Sequence, residues 1–415
     1  MRFEASRRLF SRAAAVIPNG VFGHRRTFAF AGGRSVGIPD DYPHFIKRAE
    51  GCRFWDVDGN EYIDYLCGYG PMIVGYANPR VDRAVAAEQE RGIYYDFPSE
   101  RYVELAERLT ATQKNADWAA LAINGSDAVT LALVTARAHT GRSTVVVAQD
   151  AFHGDHSWSS VGAGRVEADL SETRFVPWGD AGQLGVALSR EPVAAVVLCP
   201  YEQLVGAPNR MPADGYWAEV RRLCDSYGAL LIIDDIRSGF RLHPAGSCRY
   251  FGIDADLVCV SKAIANGYPL SATLGTNRVR PAAEEIFVSG TFWGFAPALA
   301  AAMETLAILA ETDAAAHMAR IGGMLISGLA EVAAKNGFSI RVSGPEALPM
   351  VQIEHDEDYS LMCRFVRNLA HQGSFAHPTH NWFLSAAHQP EDIERTLEHA
   401  EAAFGRMRSR ALEAE

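Results

Sequence analysis

Two short apolar runs in this chain each end on residues able to do chemistry. Residues 229–233, ALLII, are too few for a helix but enough for a strand buried on both faces, and Asp234 and Asp235 follow at its end. A second run, residues 257–260, leads through Ser261 to Lys262. A carboxylate and a lysine at the carboxyl ends of neighbouring buried parallel strands point into the crevice where open α/β sheets bind ligands. A lysine desolvated there loses its proton and can condense with an aldehyde as a Schiff base. An aspartate on the same floor can pair with a protonated ring nitrogen. Taken singly, each residue fits a structural role better, Asp234 as a helix cap and Lys262 as a surface lysine.

Together they describe the protein half of a pyridoxal phosphate site, in which the carboxylate keeps the ring nitrogen protonated and the ring draws electrons from the substrate carbon. The strings that hold them, LLIIDDIRSGFRL and YFGIDADLVCVSKAIANGYPLSATLG, closely resemble the lysine region of class III, fold type I aminotransferases, above all the glutamate-1-semialdehyde aminomutase branch. The resemblance matches Asp234 to the pyridinium aspartate and Lys262 to the Schiff-base lysine. Asp235 stands where the family usually has glutamate.

The elements that must position these residues can be traced along the chain. Residues 119–123 read as a strand, Asn124-Gly125-Ser126-Asp127 as a turn and residues 128–139 as a helix, an arrangement suited to phosphate. The resemblance to the family's SGTEA motif makes Gly125 and Ser126 phosphate ligands. After a strand at 144–148 comes AFHG, where the family has YHG and stacks its aromatic ring on the cofactor; Phe152 can stack without the hydroxyl. Residues 155–173 have no clear period and read as a mobile loop. A strand at 194–199 ends on Cys199, where the family carries glutamate. A buried cysteine on a strand is ordinarily a small apolar filler, and Glu202 is the nearest carboxylate that could replace the lost one.

The substrate side rests on the resemblance. Within PNGVFGHRRTF, Arg26 matches the arginine that holds the substrate carboxylate, a task suited to a planar guanidinium. Residues 54–79 alternate around an Asp58-Gly59 turn as a β-hairpin does, and Tyr69 matches an aromatic position facing the substrate. His380, in PTHNWF, falls where the aminomutase branch has an acidic residue. In SGTFWGFAPALAAA, Thr291 matches the threonine that reaches the neighbouring subunit's cofactor phosphate, which implies a homodimer with shared active sites.

The remaining elements are a short amphipathic helix ending before Pro18, a helical stretch over 80–113 with Val81, Val85, Ala86, Val103, Leu105 and Leu109 as buried positions, and a helical, alanine-rich 297–336. The implied fold is α/β, a fold type I pyridoxal phosphate-dependent transferase. Its large domain would carry a mostly parallel seven-stranded sheet, beside a smaller α+β domain drawn from both chain ends. The expected division is an N-terminal segment 1–75, a large cofactor domain 76–312 and a C-terminal small domain 313–415.

Composition bounds the function. A chain of 415 residues, 48% hydrophobic and 21% charged, suits an enzyme-sized globular body. A formal charge of −11 without a basic patch argues against a nucleic-acid partner, and no apolar run approaches membrane-spanning length. Seven cysteines without CxxC spacing read as reduced thiols, with no metal site and a cytoplasmic location. Three functions stay open: an aminotransferase acting on a small carboxylate-bearing or sugar-like metabolite, an intramolecular aminomutase, and a catalytically retired binding or structural subunit. The first is favoured, because 155–173 is shorter than the gating loop of the aminomutase branch and His380 replaces its acidic residue.

Overall fold

The structure, a computed structural model, describes residues 1–21, 27–31, 34–159 and 167–412. Two compact units emerge: one comprises Met1–Asn78, Val205–Pro208 and Ala316–Glu415, the other Pro79–Leu204 and Asn209–Ala315.

The second unit is built on a seven-stranded sheet in the order Trp118–Ala122, Ser271–Gly275, Leu257–Val260, Leu230–Asp234, Val193–Leu198, Thr144–Ala148, Thr173–Val176. Six strands run parallel; Ser271–Gly275 alone runs antiparallel to both of its neighbours. The direction of that strand follows from chain length, since the connection from Leu257–Val260 is shorter than a parallel crossover requires. The middle strands are buried along their whole length. Val145, Val147, Ala195, Val197, Leu230 and Ile232 form one core with Ala128, Val129, Ala132, Leu133 and Ala136 of the helix Gly125–Thr140. Burying each large aliphatic side chain contributes about 1.5–3 kcal/mol, so the sheet can carry polar groups at its carboxyl edge without depending on them.

Two expectations about helices need correction. The stretch over 80–113 is two helices, Pro79–Gln89 and Glu100–Thr112. Leu105 and Leu109, a turn apart, are buried, whereas Val103 lies round the far side and is 53% exposed; Ala86 likewise lies off the face of Val81, Val85 and Glu88. The stretch over 297–336 divides into Ala296–Glu311 and Ala314–Lys335, with Asp313 between them in the left-handed region at φ 44°.

In the first unit, Ile46–Glu50, Arg53–Asp56 and Glu61–Asp64 pair antiparallel in sequence, and Ser374–Phe375 adds in parallel beside Glu61–Asp64. The turn between the second and third strands holds Gly59 at φ 86° and presents Asp58, whose carboxylate accepts from the amides of Ala5 and Ser6 at 2.7 and 2.8 Å. Those amides open the helix Glu4–Ala14 and have no partner within it, so a carboxylate from another element caps it. The helices Ser360–Ala370 and Pro390–Leu412 pack against each other. Among the described residues, no helix is long and apolar enough to cross a membrane.

Candidate active site

Parallel strands deliver their carboxyl ends to one edge, and at that edge of the second unit five strand ends carry the candidate residues. Asp234 closes its strand with 5% exposure. Its Oδ2 accepts from Nδ1 of the fully buried His153 at 2.8 Å, and its Oδ1 from the Ile236 amide at 3.2 Å. A carboxylate taken out of water needs such donors, and here they fix its plane.

Asp235, one residue on, is buried in the opposite sense. It accepts from the Ser247 amide at 2.8 Å and hydroxyl at 2.6 Å, and from the Ser238 hydroxyl at 2.8 Å. Burial still pushes its carboxyl up, to about 6. Asp235 therefore holds the 238–247 loop beneath the sheet edge.

Lys262 follows Leu257–Val260, whose Cys259 stands opposite Asp234 in register. The lysine opens a short turn, Lys262–Ala265, with its own φ at 48°. A non-glycine residue in the left-handed region is unusual and concentrates at functional sites. Burial, followed by the charge of Arg237, pushes the ammonium down to about 7 against the opposing pull of Asp234. An amine so placed is available as a nucleophile near neutral pH.

The start of the helix Gly125–Thr140 offers a candidate anion end to the site. The Asn124 side chain caps it by accepting from the Asp127 amide at 3.0 Å, so this turn belongs to the helix rather than preceding it. Helix geometry leaves the Gly125 and Ser126 amides to an outside acceptor. The Ser126 hydroxyl accepts from the Asp155 amide at 3.1 Å and keeps its own proton to donate. Two glycines make this possible. A methyl group on Gly125 would come within 2.7 Å of Ile236 Cδ1, and one on Gly154, whose φ is 104°, within 2.6 Å of Ser126 Oγ.

Phe152 precedes His153 and is 61% exposed, leaving a ring face free for a flat partner. Thr291 is exposed, and its neighbour Trp293 donates from Nε1 to Asp127 Oδ2 at 3.2 Å, tying the 290–293 turn to the first turn of the same helix. Cys199 lies just past Val193–Leu198 and is partly exposed. Burial, then the charge of Asp234, holds its thiol well above the ordinary range, which leaves it a poor nucleophile. Glu202 does not take the place of the missing carboxylate: it pairs with Arg210 at 3.0 and 3.1 Å, an interaction that engages both of its oxygens.

In the first unit, Tyr69 sits at φ 65° on a short turn, its ring edge-on to His380 with centroids 5.2 Å apart; His380 also stacks on Phe383 at 5.6 Å. His377 stands 6.1 Å from both Tyr69 and His380, and burial pushes it down to about 4. Arg26 lies outside the described residues.

The residues at the sheet edge fit pyridoxal phosphate in each part: a helix start for the phosphate, an aromatic face for the ring, a held carboxylate for the ring nitrogen and a desolvated amine for the aldehyde. His153 and Ile236 carry part of this geometry, yet neither was singled out from sequence. The histidine could have been found from its position next to Phe152, immediately beyond a buried strand.

Residues 38–174 and 180–390 match the aminotransferase class-III family. An aminopentol aminotransferase of Sphingopyxis macrogoltabida is 38% identical over 399 residues, spanning 95% of this chain and 93% of that protein. A glutamate-1-semialdehyde 2,1-aminomutase of Methanothrix thermoacetophila is 33% identical over 425 residues, spanning 96% of each. The pyridoxal phosphate internal aldimine form of the FumI protein from Sphingopyxis sp. MTA144 superposes with a TM-score of 0.93 at 37% identity, over 98% of this chain and 97% of that one. The chain belongs to the class-III aminotransferase family.

Proposed function

We propose that this protein transfers an amino group between a small metabolite and a keto or aldehyde acceptor, with pyridoxal phosphate as its resident cofactor. The observation that carries the reading is the buried Lys262 amine, pushed down to about 7, one strand away from the Asp234 carboxylate that His153 fixes. When bound, the cofactor supplies a ring that takes up the electron pair left when the substrate carbon loses its proton. Lys262 Nζ is the nucleophile for the cofactor aldehyde. With the cofactor in place, the same nitrogen would act as the base that takes the proton from the substrate carbon and as the acid that gives it back. Asp234 holds the ring nitrogen protonated throughout. Gly125 and Ser126 hold the phosphate, and Phe152 covers a ring face.

The reading includes a homodimer in the cytoplasm, with Thr291 donating to the phosphate in the partner subunit. It is supported by the exposure of Thr291 and of Phe287 and Phe292, large apolar side chains on the same segment. Arg26, Tyr69 and His380 are the proposed substrate contacts, with Arg26 for a carboxylate. An aminotransferase is favoured over an aminomutase by the short 155–173 stretch and by an imidazole at position 380 in place of a carboxylate. A site without a gate releases its carbonyl product instead of returning the amine to it.

A single turnover tests the choice. The purified protein loaded with pyridoxal phosphate is mixed with a suitable amine and no acceptor. Pyridoxamine phosphate should form in proportion to protein, with carbonyl product free in solution. Isomerisation of a diamine or amino-aldehyde over many turnovers would instead establish the aminomutase. A wild-type monomer with full cofactor occupancy would refute the role of Thr291.

A further inference from the structure

We propose that Asp64 is a positioning residue of the transfer reaction, its carboxylate holding the turn 66–70 in the course that presents Tyr69 to the substrate. That Tyr69 meets the substrate rests on the function proposed above; the hold on the turn does not.

Asp64 closes the strand Glu61–Asp64 and is 2% exposed. Beyond it, four successive residues take the left-handed region: Cys67 at φ 49°, Gly68 at 64°, Tyr69 at 65° and Gly70 at 108°. Glycine enters that region freely. A cysteine and a tyrosine are there against their own preference, and such residues persist only where their surroundings fix them. The Asp64 carboxylate does so at both ends of the loop. Oδ1 accepts from the Leu66 amide at 2.8 Å and Oδ2 from the Cys67 amide at 3.1 Å, where the left-handed course begins. Oδ2 also accepts from the Tyr76 hydroxyl at 2.7 Å, and Tyr76 is itself tied to Gly51 through both of its backbone groups, at 2.8 and 2.9 Å. A carboxylate so deeply buried needs these donors as much as the turn needs the acceptor.

Phe383 closes the other side of the turn. A methyl group on Gly70 would fall 2.8 Å from its Cε1, and His380, which meets Tyr69 edge-on, stacks on the same phenyl ring. The turn is thus packed on one side and hydrogen-bonded on the other. Without the carboxylate, 66–70 would relax towards ordinary backbone angles and carry the Tyr69 ring out of its place beside His380 and His377.

The test compares the cofactor-loaded wild type with Asp64→Asn, Tyr69→Ala and the double variant. The Asn side chain keeps the shape and one acceptor but sets an NH2 group against the Cys67 amide. Hydrogen exchange reads the hold directly: in Asp64→Asn the amides of 66–70 should exchange about tenfold faster or more, while those of Val193–Leu198 stay as they are. Single turnovers with L-alanine, β-alanine, 2-aminoethanol and 1-phenylethylamine, followed as pyridoxamine phosphate formed, read the consequence. In Asp64→Asn the half-saturating amine concentration should rise about tenfold with the limiting rate within about threefold of wild type, and the double variant should be no worse than Tyr69→Ala. An aspartate with a structural role alone would add its loss to that of Tyr69→Ala. Such additivity, or unchanged exchange at 66–70, overturns the proposal. Should Asp64→Asn fail to fold, Tyr76→Phe removes one donor and leaves the carboxylate in place; exchange at 66–70 should again quicken, and unchanged exchange again overturns the hold. If Tyr69→Ala matches wild type with every amine, the substrate role of Tyr69 fails, while faster exchange in Asp64→Asn still establishes the hold on the turn. No conversion of any of the amines by the wild type overturns the transfer reading and the role of Tyr69 with it.

Discussion

His153 donates from Nδ1 to Asp234 Oδ2 across 2.8 Å, and neither side chain is more than marginally exposed. The histidine reaches the carboxylate from the loop after one strand, while the carboxylate ends another, so the bond ties together two elements that are separated by the strand Val193–Leu198. Hydrogen bonds to a charged group contribute about 1.5–3 kcal/mol, well above an ordinary neutral bond.

His153 should therefore act as a positioning residue. In His153→Phe the ring bulk stays and the donor is lost, and kcat should fall by about tenfold to a hundredfold. The absorbance of the bound cofactor and the pH dependence of kcat should shift with it, because the protonation of the ring nitrogen is no longer secured. His153→Gln, whose amide can still donate, should recover part of both. A Phe variant with wild-type spectrum and kcat would remove the histidine from the mechanism.

Asp234 itself should matter more. Removing the partner of a buried charge costs on the order of 3–5 kcal/mol, which as a barrier is roughly two to three decades or more in rate. Asp234→Ala should show that loss in single-turnover measurements with saturating cofactor. A variant within about threefold of wild type, a change well under 1 kcal/mol, would mean that another group holds the ring nitrogen.

What the sequence disclosed follows from how locally each feature is encoded. The central strands are short, apolar runs buried on both faces, and such runs are visible without any tertiary knowledge; so are Asp234 and Lys262 at their ends. Five of the sheet's seven strands were legible for the same reason; the number seven and the mostly parallel direction came from the family resemblance, and Thr173–Val176 and Ser271–Gly275 were not read as strands. Cross-strand relations were not. His153 meets Asp234 from a distance of 81 residues, and no spacing rule links them. The fate of Glu202 depended on Arg210, which returns antiparallel beside it through an isolated bridge. Helix limits failed where one polar residue decides them: Asn124 draws the turn before Ala128 into the helix by capping it, and Asp313 in the left-handed region breaks the alanine-rich stretch in two.

Gly154 offers a test of the anion end. Its φ of 104° disfavours any side chain, and an added methyl would fall 2.6 Å from Ser126 Oγ and 3.0 Å from His156 Nε2. Gly154→Ala must then push Ser126 off the helix start or shift the loop bearing His153. The expected result is cofactor affinity weakened by about tenfold or more, a loss of about 1.4 kcal/mol, with a lower melting temperature of the apoprotein. Equilibrium dialysis against pyridoxal phosphate and a thermal melt provide the check. Unchanged affinity would show that the phosphate is held elsewhere.

Lys262 provides the pH test. Its folded value of about 7 lies below the ordinary 10.5, so the buried amine is neutral above about 7 while an unfolded chain keeps it charged up to 10.5. A group depressed in this way contributes stability that is fully present above 10.5 and lost as the pH falls through about 7. Removing the amine should therefore stabilise the apoprotein near neutral pH, and the gain of Lys262→Met over wild type should shrink as the pH rises from about 7 towards 10.5, a change of at most a few kcal/mol. Reactivity moves with the same proton. Covalent capture of pyridoxal phosphate, trapped by borohydride and located by peptide mass, should speed up as the pH rises to about 7 and then level off, because only the neutral amine attacks the aldehyde. Lys262→Ala should give no trapped peptide and no turnover. Capture at another lysine, or a capture rate still climbing towards 10.5, would show that Lys262 is not the desolvated nucleophile on which the site depends.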